Sequence, residues 1–383
     1  MEPLRPSEVG EIGRYRLMAR LGSGGMGQVY LGLSSDGRLV ALKQVHAILA
    51  ENADFRSRFR REVNASRMVS GAYTAAVMDA DTEAVLPWLA SVFVPGPSLD
   101  TAMDHCRPLP LSSVRVLAAG LAAALSEIHR AGLVHRDLKP SNVLLAEDGP
   151  RVIDFGVARA AQANTEITQV GWVIGSPQYM SPEQAEGKSL TSASDVFSLG
   201  SILLLACTGK APFGPGITPE VLYRVVHSEP DLAAVPAELR ELLSACLAKQ
   251  PDARPTADAV QAAIGQIDPG QSWLPAAVRA LIDAQQAELR ALLPLAEIPE
   301  VDIPEAETSE TATVATSDTA GALAPSPSGP SGQEPESSPP VSSGVRSRRG
   351  RSAKVGRIVV ALVSGAALVA TGIVWASLHW FQD

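Results

Sequence analysis

The sequence predicts one domain of mixed α and β structure, followed by a linker and a single membrane-spanning helix. Residues 15–267 alternate strand-like and helix-like patterns with regular Gly and Pro between them, as a compact domain does. Between residues 297 and 340 there are nine acidic residues and no Lys or Arg, a composition that buries too little apolar surface to fold. Residues 358–378 are an uncharged apolar run of 21 residues, which is long enough to cross a bilayer as a helix.

Composition narrows the classes of function. The 383 residues carry a net charge of −9, which argues against a nucleic-acid partner, because nucleic-acid-binding proteins usually present a basic face. Three cysteines, Cys106, Cys207 and Cys246, lie far apart and lack both the spacing of a zinc site and the density of a disulfide scaffold. The charged N-terminus has no apolar stretch typical of a signal peptide, so the front of the chain is expected to stay in the cytosol.

The first candidate site is the Gly-rich stretch RLGSGGMGQVYLG. Gly22, Gly24 and Gly27 fit the spacing G-x-G-x-x-G, in which the missing Cβ atoms let the backbone approach phosphate oxygens. A dinucleotide-binding domain would place a helix after the third glycine, whereas QVYLGL alternates like a strand, SSDG indicates a turn and RLVALKQV alternates again. The sequence therefore predicts a β-hairpin over phosphates; a purely structural hairpin is the alternative if the loop is considered alone.

Two charged residues follow at suggestive positions. Lys43 lies on the next strand in VALK, and Glu62 lies in DFRSRFRREVNASRMV, where a helical pattern places Phe59 and Val63 around it. Taken singly, a strand lysine is more often a solvated edge charge and a helical glutamate is more often a surface charge. The roles of Lys43 and Glu62 can be assigned only from the motifs that follow in the sequence.

The densest cluster of polar side chains is HRDLKPSN, which runs directly into the apolar strand VLL. It contributes His135, Arg136, Asp137, Lys139 and Asn142. Shortly afterwards VIDFG supplies Asp154, then YMSPEQA, SDVFSLG and PDARPT follow. In this order and with these separations, the motifs resemble those of protein kinases, especially bacterial, actinobacterial-type serine/threonine kinases.

The resemblance covers residues 15–267 and implies a fold, an activity and cofactors. The fold is α+β and bilobal, with a small β-rich N-lobe and a larger helical C-lobe. The activity is transfer of the γ-phosphate of ATP to Ser and Thr hydroxyls of protein substrates, including autophosphorylation of the activation loop. The cofactors are ATP and Mg²⁺, with Mn²⁺ as an alternative.

The resemblance also assigns catalytic roles. Asp137 would accept the proton of the substrate hydroxyl, and Lys139 would neutralise charge on the transferred phosphoryl group. Lys43 would hold the α- and β-phosphates and would itself be oriented by an ion pair with Glu62. The implied metal ligands are Asn142 and Asp154.

The implied nucleotide pocket uses the Gly-rich loop, the strand of Lys43 and the stretch PWLASVFVPGPSL. In that stretch Ser91 resembles the gatekeeper, and its small side chain predicts a roomy back pocket. Residues 92–94 resemble the hinge whose backbone bonds adenine, with Val92 where many relatives have glutamate. The predicted ATP-binding residues are Leu21, Gly22, Gly24, Gly27, Val29, Ala41, Lys43, Val92, Val94 and Leu144.

Four residues have structural roles in the same family pattern. Glu183 would form an ion pair with Arg254 and tie the end of the activation segment to the C-lobe. Asp195 would brace the backbone of the catalytic loop. His135 resembles the family's buried structural histidine, and no chemical role is assigned to it.

One residue points to regulation. Arg136 precedes the catalytic Asp137, and a buried cation near the activation segment needs an anion, which a phosphothreonine supplies. The threonines between Asp154 and Glu183 are Thr165 and Thr168. Relatives often carry a second threonine two residues on, where this chain has Val170, so Thr168 is the first predicted regulatory phosphosite and Thr165 the second.

The part of the chain after the domain divides into four segments. Residues 268–296 are a helical extension, in which residues 273–293 have the spacing of an amphipathic helix, docked on the domain or trailing from it. Residues 297–345 are the disordered acidic linker. Residues 346–357 form a juxtamembrane segment with six basic residues and no acidic one, and residues 358–381 form the transmembrane helix.

These segments predict a single-pass protein of the cell membrane. The positive-inside rule places the basic segment and the kinase domain in the cytoplasm, with a short C-terminal tail outside and no room for an external sensor. A buried core helix is the alternative for the apolar run. Small residues four apart, Ala361 with Gly365 and Gly372 with Ala376, would permit a homodimer through the span.

Two other functions compete with a kinase. A pseudokinase or membrane-tethered scaffold would bind ATP or partners without transferring phosphate, but no catalytic residue is missing from the sequence. A Rossmann-type nucleotide binder conflicts with the hairpin pattern after Gly27. The physiological substrate and the activating signal cannot be read from the sequence.

Overall fold

The computed structural model describes residues 1–8, 10–155, 176–265, 267 and 273–293. Its strands are β1 Glu11–Ile12, β2 Tyr15–Gly24, β3 Gly27–Leu33, β4 Leu39–Val45, β5 Val77–Asp81, β6 Trp88–Val92, β7 Val143–Ala146 and β8 Gly149–Val152. Its helices are α1 Ala47–Ala50, α2 Ala53–Ser66, α3 Leu99–His105, α4 Leu111–Arg130, α5 Pro182–Ala185, α6 Ser192–Thr208, α7 Thr218–His227, α8 Ala237–Cys246, α9 Ala257–Ile264 and α10 Ala276–Leu292. The predicted bilobal α+β fold is confirmed, because most strands precede α3 and most helices follow it.

The N-lobe is built on an antiparallel sheet in the order β1-β2-β3-β4-β6-β5. The hairpin predicted after Gly27 is present as β3 and β4, which are joined by a tight turn that Gly37 closes through its N–H to the Ser34 carbonyl. Because side chains alternate along a strand, the buried Val40 and Leu42 occupy one face of β4 and Lys43 the other. The strand register therefore turns the Lys43 side chain away from this core and towards a cleft between the two lobes.

Helix α2 packs on the sheet through one face. It begins at the cap residue Asn52, whose side chain accepts a hydrogen bond from Phe55 N at 2.8 Å. Phe55 and Phe59 are buried and stack on each other at 5.9 Å between ring centroids. Glu62 lies on the same buried face and is only 6% exposed, so its carboxylate requires a cationic or hydrogen-bonding partner inside the protein.

The C-lobe core is formed by α4 and α6, whose apolar residues are almost all inaccessible to solvent. Among the described residues, α4 is the one helix long and apolar enough to cross a bilayer, but 72% of its apolar stretch is buried inside the protein. Its hydrophobicity is accounted for by the core that it forms. Helix α6 is followed by Gly209, whose φ of 73° is the left-handed conformation usual after a helix.

The amphipathic helix predicted near residues 273–293 is α10, and it is docked on both lobes. The indole Nε1 of the buried Trp273 donates to the carbonyl oxygens of Ala146 and Glu147, at 3.1 and 2.9 Å. Val278 and Ile282 belong to the C-lobe core. Leu289 packs against small and apolar residues of β2 and β3 in the N-lobe.

Several sequence predictions fall outside the described residues. They are the linker at 297–345, the basic segment at 346–357, the membrane helix at 358–381 and the threonines Thr165 and Thr168.

Candidate active site

A cleft of about 1030 Å³ lies between the N-lobe sheet and the C-lobe. All ten residues predicted to bind nucleotide line this cleft. It is also lined by Asp137, Lys139, Asn142 and Asp154. The tertiary structure thus brings together residues that are more than 130 positions apart in the chain, between Leu21 and Asp154.

The Gly-rich loop closes the cleft as the β2–β3 hairpin, in which Gly24 pairs with Gly27. A Cβ atom added at Gly22 or Gly24 would meet no protein atom within 4 Å, so protein packing does not explain these two glycines. A Cβ at Gly27 would lie 1.9 Å from the Gln44 carbonyl oxygen in β4. The sequence assigned all three glycines to phosphate; the structure shows that sheet packing by itself requires the third.

The predicted hinge presents one backbone donor to the cleft. The N–H of Val92 donates to the Ala76 carbonyl at 2.9 Å, and the N–H of Phe93 donates to the Leu39 carbonyl at 3.3 Å. In the described part of the chain nothing accepts a hydrogen bond from Val94 N–H, and Val94 lines the cleft. The Val94 N–H is therefore the hinge donor that is available to an adenine ring.

The catalytic loop is hydrogen-bonded to Asp195, which lies in the first turn of α6. This carboxylate is 1% exposed and accepts hydrogen bonds from the backbone N–H groups of His135 and Arg136, at 2.8 and 2.9 Å. His129 Nε2 lies 2.8 Å from the same carboxylate. Arg136 has a φ of 68°, a left-handed conformation that is unusual for a residue other than glycine. The two N–H contacts stabilise this turn, as the bracing role expected of Asp195 requires.

His135 connects the catalytic loop to the segment that carries Asp154. Its ring is fully buried, with Nδ1 3.3 Å from Asp137 N and Nε2 3.2 Å from the Ile153 carbonyl. Both contacts are satisfied when Nδ1 accepts from the Asp137 N–H and Nε2 donates to the Ile153 carbonyl. The histidine thus fixes the position of Asp137 relative to Asp154.

The Asp137 carboxylate lies at the centre of the polar wall. Lys139 Nζ lies 2.7 Å from Asp137 Oδ2. The amide Nδ2 of Asn142 donates to the Asp137 carbonyl at 2.7 Å and to Asp137 Oδ2 at 3.3 Å. With its nitrogen directed at Asp137, Asn142 keeps its side-chain oxygen as a potential ligand for a cation.

The predicted ion pair between Lys43 and Glu62 is not formed. Lys43 Nζ lies 3.1 Å from Asp154 Oδ2, and Glu62 Oε1 lies 3.3 Å from Arg136 Nη1; no ion pair within residues 10–155 joins Lys43 to Glu62. The left-handed turn at Arg136 sends its guanidinium to the buried carboxylate of α2. Lys43 and Glu62 therefore have different charged partners, Asp154 for Lys43 and Arg136 for Glu62.

The charge on Asp154 is stabilised by its neighbours. Burial would raise the pKa of this carboxyl, but the adjacent Lys43 ammonium, with a weaker contribution from Lys139, holds the pKa below its usual value. Asp154 also has a left-handed backbone, with a φ of 60°. The site therefore presents an ionised carboxylate in the cleft.

The predicted ion pair between Glu183 and Arg254 is present and is buried. The guanidinium makes two parallel contacts with the carboxylate, at 2.8 and 2.9 Å, and Ser194 Oγ donates to Glu183 at 2.6 Å. Burial alone would raise the pKa of Glu183, but the hydrogen bonds from Arg254 and Ser194 lower it to about 2. The pair joins α5 to the loop before α9.

The structure adds residues that sequence analysis did not connect with the cleft. Helix α10 contributes Leu281, Ala284, Gln285 and Glu288 to its wall. Their spacing of three or four residues marks one face of a helix, which was readable from the sequence. The packing partner of that face was not readable, because the hinge lies almost 190 residues earlier in the chain.

The similar proteins found by comparison are protein kinases. The protein kinase domain family matches residues 15–263. The serine/threonine-protein kinase AfsK of Streptomyces coelicolor is 49% identical over 293 residues, which cover 74% of this chain and 36% of AfsK. The probable serine/threonine-protein kinase PkwA of Thermomonospora curvata is 49% identical over 275 residues, covering 72% and 37% of the two chains. The chain thus spans little more than a third of the length of these curated relatives.

A solved structure shows the same fold. The crystal structure of the PknI kinase domain of Mycobacterium tuberculosis superposes with a TM-score of 0.54 at 26% identity. The match covers 70% of this chain and 98% of that domain.

The Glu183–Arg254 pair generates a prediction about stability. Glu183→Gln leaves the Arg254 guanidinium, whose side chain is 0% exposed, without its carboxylate. We expect the free energy of unfolding to fall by about 3–5 kcal/mol at pH 7. The pKa of Glu183 is lowered in the folded state from 4.5 to about 2, so the stabilisation is complete above about pH 4.5 and is lost as the pH falls towards 2.

Urea unfolding of the full chain from pH 7 to pH 3, followed by circular dichroism, measures this difference. Glu238→Gln is the control, because Glu238 is about half exposed and lies 4.0 Å from an equally exposed Arg115. That substitution should change the stability by less than about 1 kcal/mol. A gap between Glu183→Gln and wild type that does not narrow between pH 5 and pH 3 would contradict the prediction.

Proposed function

Because this chain belongs to the protein kinase domain family, we propose that it is a serine/threonine protein kinase, which transfers the γ-phosphate of ATP to Ser and Thr hydroxyls of proteins. The observation that carries the proposal is the contact of Asp137 with Lys139, at 2.7 Å, in the wall of a cleft lined by all the predicted nucleotide-binding residues. Lysine at this position of the catalytic loop resembles serine/threonine kinases. The relatives that are 49% identical carry that name.

Asp137 is the proposed acceptor of the proton from the substrate hydroxyl. Its backbone is positioned by Asp195 and His135, so the carboxylate is oriented before substrate binds. Lys139 neutralises charge on the transferred phosphoryl group, which is the main requirement of a reaction with little covalent chemistry for the protein to perform. The Val94 N–H orients the adenine ring, and the open backbone at Gly22 and Gly24 accommodates the phosphates.

The donor set of the cleft fits a divalent cation of the Mg²⁺ type, for which Mn²⁺ is an alternative. Asn142 keeps its side-chain oxygen free of Asp137, and Asp154 is ionised. Two protein oxygen ligands are typical of a site where substrate phosphates complete the coordination. When bound, the ion offsets the negative charge of the phosphates. Asn142 and Asp154 would hold it, and Lys43 would then be released towards the nucleotide.

The proposed catalytic roles predict selective loss of phosphate transfer. Lys43→Met, Asp154→Ala and Asp137→Asn should each lower turnover at least about 100-fold, because each removes charge or proton acceptance from the reacting groups. Phosphate transfer from labelled ATP to a generic Ser/Thr protein substrate, with purified full chain and Mg²⁺, measures the effect.

Lys210→Met is the matched control, since Lys210 is exposed in the loop after α6. It should retain wild-type turnover, and thermal melts should show that all four variants fold. Undiminished transfer by either the Asp137 or the Asp154 variant would refute the kinase mechanism, and a wild type that binds ATP without transfer would indicate the scaffold alternative.

The described conformation also supports a switching role for Arg136. Its guanidinium is bound to Glu62 while Lys43 is bound to Asp154. A phosphate on Thr168, which lies outside the described residues, would give Arg136 another anion to bind. Glu62 would then pair with Lys43, and Asp154 would be available to the metal. Phosphorylation thus changes the partners of three charges that the catalytic step needs.

This exchange of partners predicts that substitutions of Thr168 and Thr165 differ in their effect on activity. Thr168→Ala should lower activity about 5- to 150-fold, the range of a typical coupling between sites, whereas Thr165→Ala should have little effect. Mass spectrometry of the active enzyme should find phosphate on Thr168, and the Asp137→Asn variant should lack it if the modification is autocatalytic. Full activity of Thr168→Ala would rule out this site.

The membrane location is proposed from the sequence of the segments beyond the described residues. The predicted membrane helix at 358–381 follows six basic residues at 346–357, which favours a single span with the kinase domain in the cytoplasm. Small residues spaced by four in the run would allow two spans to associate as a homodimer.

Cell fractionation tests the location. The full chain should sediment with membranes, and a chain that ends at Pro340 should stay in the soluble fraction with its kinase activity intact. External protease should leave the kinase domain of intact cells undigested. The same partitioning of the two chains, or digestion of the domain from outside, would overturn the topology.

A further inference from the structure

Helix α10 lies against the outer side of the hinge and contributes one face to the cleft. Gln285 Oε1 accepts a hydrogen bond from Gly96 N at 2.6 Å. Leu281, Ala284 and Glu288 line the cleft on the same face of the helix. This face is therefore part of the proposed nucleotide site.

Gly96 is held from two sides. Its φ of 152° is unfavourable for residues with a side chain, and an added Cβ would lie 2.2 Å from the Leu145 carbonyl oxygen in β7. Next to it, the Pro97 carbonyl accepts a hydrogen bond from Leu145 N at 2.9 Å. The hinge segment thus runs between β7 and α10. Since Val94 lies two residues before Gly96, the position of its N–H depends on both neighbours.

The helix is fixed to both lobes and does not depend on the Gln285 contact to stay in place. The Trp273 indole and the buried Val278 and Ile282 anchor its first half in the C-lobe. Leu289 anchors its second half against Ala19 and Leu31 of the N-lobe sheet. Substitutions on the cleft face can therefore be made while the anchors remain.

We propose that α10 contributes to nucleotide binding. Gln285 is a positioning residue that holds the hinge backbone for adenine, and Ala284 borders the bound nucleotide. The proposal rests on the assignment of this cleft to ATP. The proposal gives the helical extension a part in nucleotide affinity.

Two alanines on α10 provide a matched pair for the test. Ala284 and Ala287 are both exposed, but only Ala284 lines the cleft. Ala284→Glu should raise the KM for ATP about threefold or more, because a carboxylate at the wall repels the anionic nucleotide, while Ala287→Glu should leave it unchanged. The KM for the protein substrate should not change in either variant.

Gln285 and Gln286 provide a second pair, since both are partly buried and only Gln285 bonds to the hinge. Gln285→Ala should raise the KM for ATP about 2- to 10-fold with kcat little changed, as expected for the loss of one hydrogen bond. The Gly96 amide should also exchange its hydrogen faster in this variant than in Gln286→Ala.

All four variants are measured in the full chain, with thermal melts to show that they fold. The Kd for ATP, measured by calorimetry without turnover, decides the proposal even in a chain that transfers no phosphate. If the two variants of each pair have equal Kd values for ATP, α10 has no part in nucleotide binding and the proposal is wrong. If the wild-type chain does not bind ATP, the assignment of the cleft to ATP is wrong. If Gln285→Ala fails to fold, the alanine pair decides.

Discussion

The geometry of the active site depends on the buried carboxylate of Asp195. An ionised group with 1% exposure is costly unless it is fully hydrogen-bonded, and here the donors are two N–H groups of the catalytic loop, with His129 alongside. Satisfying this carboxylate fixes the left-handed turn at Arg136. That turn directs the next residue, Asp137, towards the cleft and sends the Arg136 side chain to α2. One carboxylate on a C-lobe helix thereby positions both the proposed proton acceptor and the cation next to it.

Six charged side chains in and beside the cleft form three ion pairs. Lys43 binds Asp154, Arg136 binds Glu62 and Lys139 binds Asp137. In the proposed switch, a phosphate near Arg136 would compete with Glu62 for the guanidinium, and Glu62 would then be able to pair with Lys43. This exchange would not require a change in fold, because the two arrangements differ only in which side chains meet.

Helix α10 contacts both lobes and the hinge between them. It is anchored in the C-lobe by Trp273 and in the N-lobe by Leu289, and between these anchors it bonds to the hinge at Gly96. Through this contact, we propose, the residues after the kinase domain affect nucleotide affinity. The extension is therefore more than a connection to the linker.

The sequence by itself determined the chemical groups of the site and the elements that carry them. The hairpin at Gly27, the strand of Lys43 and the helix of Glu62 follow from spacings within short stretches, where local periodicity controls the structure. The pair Glu183–Arg254 joins residues 71 positions apart and is predicted from the resemblance to protein kinases. The tertiary structure alone decided that Glu62 binds Arg136, that Gly27 is required by packing against Gln44, and that α10 faces the hinge. Each of these depends on contacts between elements distant in sequence or on competition among charges, and a linear pattern contains neither distance nor burial.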